Sequence, residues 1–324
     1  MQSGGGKTFW LSFLVTLMVL LPLIGAVWLL GIWEDHTAFP AERTQEEIPI
    51  RRPGPEHAFN VLVAVAGERP AFLLLWLDAP SARISVTALP AESVLSSGGR
   101  PRMLSESYQQ AGPARAAGDL AETLGIDIRY YLAISRDSLT EAFGTLGPAR
   151  INLTGLLPRS QREADGLADP VQEFTPAAAS DFLQEVSLAP PALAALRGAV
   201  WEGFMRQQLD RLPADVPQGL RRVSSSLLTN LTALDLYTLG DTLEFLADGG
   251  GRVEQTPAPG HWSVQRGRFE FSGVTSSWAA RQFGGSGDGP VYDPWQDAPE
   301  ETTPAPPETG RTGEEMQPPT AGGL

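Results

Sequence analysis

Several spacings in this sequence could carry chemistry. Gly4-Gly5-Gly6-Lys7-Thr8 ends like a phosphate-cradling loop, whose amides and lysine would hold a nucleotide. The first glycine of that motif would fall at Met1, and no strand precedes it, so the segment reads as a flank of the apolar stretch that follows. Histidines could ligate a metal or shuttle protons, but His36, His57 and His261 are scattered and read as solvated. No Gly-x-Ser-x-Gly elbow and no His-Glu-x-x-His pair occurs. Zero cysteine excludes disulfides, thiol catalysis and Cys-ligated zinc or iron–sulfur clusters. Asn152-Leu153-Thr154 and Asn230-Leu231-Thr232 fit the glycosylation triplet, yet both overlap the ends of expected elements.

Charge and hydropathy divide the chain. The 24 Lys+Arg stand against 38 Asp+Glu, and this acidic balance argues against a nucleic-acid partner. Residues 9–33 are 25 residues without a charge. At about 1.5 Å per residue they would span roughly 37 Å, against a hydrocarbon core of about 30 Å. Trp10, Trp28 and Trp33 lie near the ends of the run, where indoles favour the headgroup region. A cleavable signal peptide would have a shorter apolar run, and Trp33-Glu34-Asp35 is a poor cleavage site. The expectation is a single-pass transmembrane helix over 9–33 in the cell membrane, after a short cytoplasmic flank at 1–8. Charge alone does not set its direction. The short flank with a large domain behind it favours an extracytoplasmic domain. Residues 34–57 read as an extracytoplasmic stalk and 58–283 as the domain. Residues 284–324, with eight acids against Arg311 and rich in Pro and Gly, read as a disordered acidic tail.

The middle must position whatever the chain binds. Phe59–Ala66, Ala71–Asp78 and Arg83–Leu89 are apolar runs of strand length, the second apolar on both faces and therefore central. Pro113–Leu124 reads as a helix stopped by Gly125, and 126–134 as the next strand. Ser138-Leu139-Thr140-Glu141 reads as a capping box for a short helix ending at Gly147. Ala149–Leu153 reads as a strand, and Thr175-Pro176 as a cap with Pro at the first helical position. Pro190 opens a longer helix running to about Leu212, with further helices near 217–228 and 232–247. Short strands near 252–256, 261–264 and 269–272 close the domain. No internal repeat is visible. Alternating strands and helices imply an α/β fold with helices on both faces of the sheet.

The order of these segments resembles the LytR-CpsA-Psr family of membrane-anchored bacterial envelope proteins. The resemblance runs through Asn60-Val61-Leu62-Val63-Ala64-Val65-Ala66-Gly67, Leu75-Trp76-Leu77-Asp78 and Ile84-Ser85-Val86-Thr87-Ala88-Leu89-Pro90. It continues through Tyr108, Gly112-Pro113, Leu124–Tyr131, Phe143–Gly147 and Thr175–Ala179, then the helix bearing Arg197 and the start at Thr229–Thr232. It covers roughly residues 59–264 and rests on order and spacing. It implies a three-layer α-β-α sandwich with a mixed central sheet, preceded by one transmembrane helix. Active members of the family transfer glycopolymers from a polyprenyl-diphosphate carrier to the cell wall, with Mg2+.

The family's chemistry transfers only in part. Its diphosphate is paired by arginines, which offer forked donors, and acids hold the metal. Where the family has an acid before its second strand, this chain reads Arg69-Pro70-Ala71. Where the family has Pro-Arg-Asp, this chain has Pro90-Ala91-Glu92, and of two helical arginines only Arg197 remains, its companion position being Val200. Arg69 and Arg197 are the candidates for diphosphate binding. Glu92 and Arg197 are the candidates for catalysis, and Glu92 for the metal if the domain is active. Each has a plainer reading: Arg69 as a turn residue, Glu92 as a solvated loop acid, Arg197 paired with Glu202 or Asp181. Phe72, Leu74 and Trp76 read as core rather than lipid contacts.

Two functions remain open. One is a degenerate envelope domain that binds a lipid, glycopolymer, peptidoglycan or protein partner without turnover and without a cofactor. The other is an active glycopolymer phosphotransferase using Mg2+. The oligomeric state is not legible.

Overall fold

The computed structural model describes residues 51–67, 69–167 and 169–284. The expected transmembrane helix, most of the stalk and the acidic tail lie outside them. Among the described residues no helix is long and apolar enough to cross a membrane.

The chain opens with β1 (Ala58–Ala66), β2 (Ala71–Asp78) and β3 (Arg83–Leu89), an antiparallel meander. A hairpin follows, β4 (Val94–Ser97) and β5 (Arg100–Met103), turned by Gly98 and Gly99 at positive φ. Next come α1 (Leu104–Leu124), β6 (Tyr130–Ser135), α2 (Arg136–Phe143), β7 (Ala149–Asn152), α3 (Arg159–Ala164), β8 (Val171–Phe174) and α4 (Pro176–Glu185). The chain continues through α5 (Pro190–Gln207), α6 (Leu212–Arg222), β9 (Leu228–Thr229), α7 (Ala233–Asp248), β10 (Arg252–Gln255), β11 (Gly260–Ser263), β12 (Arg268–Phe271) and α8 (Thr275–Phe283). The main sheet is mixed, in the order β10-β3-β2-β1-β6-β9, with β1–β6 and β3–β10 parallel.

Alternation along the strands sends one set of side chains to each face. Val61, Leu73, Val86 and Leu132 pack against helices α5, α6 and α7, through residues such as Ala194, Leu220 and Leu243. Leu62, Phe72, Leu74 and Leu89 face the other way, onto Leu104, Leu120 and Leu124 of α1 and Trp278 and Phe283 of α8. Phe72 and Leu74 are fully buried, the core role expected of them. A third apolar cluster joins the β7–β8 ribbon to α4 and α5.

Several local expectations need correction. His57 is buried rather than solvated: it ends a short 3-10 turn, its Nδ1 accepts from Gly54 N at 3.0 Å, and its ring meets Phe245 edge-on. The first long helix begins at Leu104, nine residues before Pro113, and breaks at Ala111 and Gly112. Gly112 has φ +74, a conformation open to glycine, and lets the chain turn before Pro113 restarts the helix. The cap of α2 is Ser135, whose side chain accepts from Ser138 N, so the box expected at Ser138 lies one turn too late. The helix from Pro190 stops at Gln207, and a 3-10 turn separates it from α6. Thr175 caps α4 as expected. Both glycosylation triplets are structural: Asn152 Oδ1 closes a local turn on Thr154 N, and Asn230 bonds the backbone of Arg129 and Tyr131.

Candidate functional site

The strand ends β1 and β2 leave Gly67 and Arg69 at one end of the sheet, and the loop after β3 brings Glu92 to the same end. The helix α5 crosses the face beside them and presents Arg197. Arg69 and Arg197 line one small cleft of about 30 Å³, with Val65, Ser180, Gln184 and Trp201. Gln184 is next to Gly67, 3.7 Å from where a Cβ there would stand.

Arg197 is 8% exposed. Burial pulls its pKa down to about 10; the negative charge of Glu92 opposes this, and the positive charge of Arg69 adds to it. The structure thus sets Arg69 and Arg197, more than a hundred positions apart in sequence, in one cleft, with the charge of Glu92 within reach of Arg197. Neither acid suggested as a surface partner for Arg197 takes it: Glu202 bonds Arg206 at 2.6 Å, and Asp181 pairs with Arg136. Among the described residues the Arg197 guanidinium has no hydrogen bond or ion pair. A fork of donors held in a half-apolar cleft without a protein partner is chemically set for an oxyanion. The companion position Val200 is 1% exposed and belongs to the core, so it contributes no donor.

Behind the cleft lies an apolar cavity of about 120 Å³, walled by side chains of β1, β2 and β6 on one side and α5, α6 and α7 on the other. Leu139 and Trp201 line both the cavity and the cleft. They form the partition between a cationic mouth and an interior whose lining includes Val61, Leu75, Phe143 and Leu220. Sequence reasoning named the two arginines and Glu92. It missed Ser180, Gln184, Leu139 and Trp201, whose nearness follows from helix packing that no local pattern reports.

The sequence matches no family model and no curated protein. Solved structures do match. The chain superposes on TagT of B. subtilis with TM-score 0.54 at 13% identity, covering 72% of this chain and 95% of that one. TagT bound to LIIa-WTA gives TM-score 0.56 at 12% identity, over 72% of this chain and 94% of that one. TagV of B. subtilis gives 0.52 at 9% identity, over 70% and 95%. The fold is that of the LytR-CpsA-Psr domain. Within that LytR-CpsA-Psr fold, the Arg69–Arg197 cleft and the apolar cavity occupy the end and face of the sheet described above.

The family resemblance implies Mg2+. Among the described residues no three acidic or histidine side chains converge to hold a metal. Glu92 is the carboxylate whose charge acts on Arg197, and a guanidinium neighbour competes with a cation for it. The described residues form no all-protein metal cage; a cation here would rest on Glu92 and on oxygens of a bound phosphate.

Proposed function

We propose that this domain is an envelope lipid-phosphate binder of the LytR-CpsA-Psr type that has lost the family's turnover chemistry. The observation that carries this reading is the partition at Leu139 and Trp201, with unpaired Arg197 on one side and a wholly apolar cavity on the other. Such a site suits an amphiphile: an anionic phosphate head at the arginines and an isoprenoid-like tail inside. Two guanidiniums supply two forks, enough to pair one phosphate group. With Glu92 counted, Arg69 and Arg197 leave about one net positive charge, which comes nearer to a monophosphate's charge than to a diphosphate's. The ligand this favours is a polyprenyl monophosphate, bound without metal. Ser180 and Gln184 stand at the same mouth, where a hydroxyl and an amide can donate to the remaining oxygens of that phosphate. On this reading the uncharged run at 9–33 would anchor the domain at the extracytoplasmic side of the cell membrane, within reach of lipid-linked glycopolymers and peptidoglycan.

The test is binding of farnesyl monophosphate and farnesyl diphosphate to the full chain, each with Mg2+ and with a chelator. The expected result is metal-indifferent monophosphate binding, weakened at least tenfold in Arg197→Ala, as loss of a charge-assisted pair of about 1.5–3 kcal/mol requires. Tighter diphosphate binding that needs Mg2+ would restore the phosphotransferase reading, with Glu92 as its metal ligand. Binding of neither would remove the lipid altogether.

A further inference from the structure

Six large hydrophobic side chains are exposed among the described residues: Val171, Leu228, Leu234, Tyr237, Val264 and Val274. Exposed apolar residues standing singly are ordinary surface. Three of these stand together. Leu228 lies in β9, the two-residue edge strand, and Leu234 and Tyr237 lie in the first turns of α7, three residues apart and so on one face. They are 62%, 73% and 58% exposed.

The local fold places this patch at one end of the sheet. Asn230 bonds the backbone on both sides of Tyr130, Thr232 caps α7, and Asp235 accepts from the Tyr130 hydroxyl at 2.7 Å. These contacts pin the start of α7 to the start of β6. Tyr130 pairs with Val61, near the start of β1. His57, just before β1, meets Phe245 of α7, and a Cβ at Gly249, just past α7, would stand 3.6 Å from that of Ala82 in the turn between β2 and β3. The helix α7 therefore runs along the end of the sheet where the chain enters the domain.

That entry point selects the occupant. Seventeen residues, 34–50, join the uncharged run at 9–33 to the described domain, a reach of at most about 60 Å even fully extended. A domain tethered there presents its entry end to the bilayer, and a contact made on a tether is intramolecular, so a few side chains suffice to populate it. Leucine and tyrosine suit the boundary between headgroups and acyl chains. Exposed Arg129, its guanidinium 5.1 Å over the Tyr130 ring, adds a donor for lipid phosphate. The exposed acids of α7, Glu244 and Asp248, lie two to three turns beyond Tyr237. Leu231, between Leu228 and Leu234, lines the apolar cavity, so apolar surface continues from the patch into the interior, which suits lipid better than a folded partner.

We infer that Leu228, Leu234 and Tyr237 form a membrane-contact surface, seated in the headgroup region of the bilayer that anchors the chain. This rests on the anchoring part of the proposed function and adds which end of the domain meets lipid. The cationic mouth stands at the other end.

The chain has no cysteine, so each introduced thiol is a unique labelling site. The full chain, reconstituted in phosphatidylcholine vesicles containing nitroxide-labelled lipid, carries an environment-sensitive NBD dye at Leu234→Cys, Leu228→Cys or Val264→Cys. Val264 is the control: it is 83% exposed in the turn before β12, and Phe269 of β12 donates to Glu92 O at the mouth end. Blue-shifted emission that the nitroxide lipid quenches is expected at 234 and 228, with a water-exposed, unquenched dye at 264. Adding Leu234→Asp and Tyr237→Asp to the chain labelled at 228 should abolish that quenching; circular dichroism checks that these surface variants stay folded. Unquenched dye at all three positions, quenching at 264 alone, or quenching that survives both aspartates would overturn the inference. A blue shift without lipid quenching would mean that protein, the 285–324 segment or a second copy, covers the patch instead. A full chain that does not float with the vesicles would remove the anchor and this surface with it, while prenyl-phosphate binding at Arg197 would stand or fall by its own assay.

Discussion

Arg197 sets the balance between stability and binding. A guanidinium taken out of water without a hydrogen-bonded counter-ion costs free energy, and here the cost is visible as a pKa drawn down to about 10, chiefly by burial. Replacing it with an apolar side chain of similar length removes that cost. The variant Arg197→Met should therefore melt higher than the native chain, by at least about 1 kcal/mol of unfolding free energy, while losing affinity for prenyl phosphate. Paired thermal-melt and binding measurements check this. A variant that loses both stability and affinity would mean that Arg197 has a structural partner. Residues selected for a ligand commonly sit at a stability deficit of this kind. The neighbouring pairs Arg136–Asp181 and Arg206–Glu202 show what a satisfied arginine in this region looks like.

Helix α1 is two segments folded against each other around one carboxylate. Asp119 is 3% exposed and takes Ser107 from the first segment, Arg115 from its own turn at 2.9 Å, and Arg102 of β5 at 3.9 Å. Burial alone would raise its pKa; the hydrogen bonds from Ser107, Ser97 and Arg115 and the charge of Arg115 outweigh that and lower it. A lowered carboxylate pKa adds stability above the unfolded value, and that stability is lost as pH falls through the folded one. Asp119→Ala should cost about 3 kcal/mol at neutral pH. The gap to the native chain should narrow as pH drops below about 4, the ordinary range for Asp. Denaturant melts across that range check the sign, and a gap independent of pH would assign the loss to packing. None of this hub was legible in the sequence, since Ser107 and Asp119 meet only because Gly112 breaks the helix. By contrast, β2 and β3 match their expected bounds residue for residue, because continuous apolar runs between Pro or Gly breaks leave few alternatives. The strand β6 starts at Tyr130 rather than residue 126: after the left-handed Gly125, the chain spends four residues crossing from α1 to the sheet. At the site, the family resemblance named Arg69, Glu92 and Arg197. The apolar partition did not show, because Leu139 and Trp201 look like ordinary core positions until α2 and α5 are packed together.

At the scale of the molecule, the sheet has two chemically different ends. Ala58 begins β1 at the end where Gly284 closes α8 against Trp76, and Ala66 finishes β1 at the end that carries Gly67, Arg69 and Glu92. Nine strand residues separate them, about 26 Å at roughly 3.3 Å per step. The apolar cavity runs beneath that length. Both described chain ends thus leave from the side opposite the cationic mouth. For anyone handling the protein, this polarity is a practical orientation. A dye, an affinity handle or a sensor surface coupled at position 53 or 284, the two described ends of the domain, would stand about a strand length from Arg197. Protein immobilised at either position should therefore bind farnesyl monophosphate as tightly as protein free in solution. Surface plasmon resonance with both attachment points, against calorimetry in solution, reads this directly; a loss confined to one of them would place that position beside the mouth.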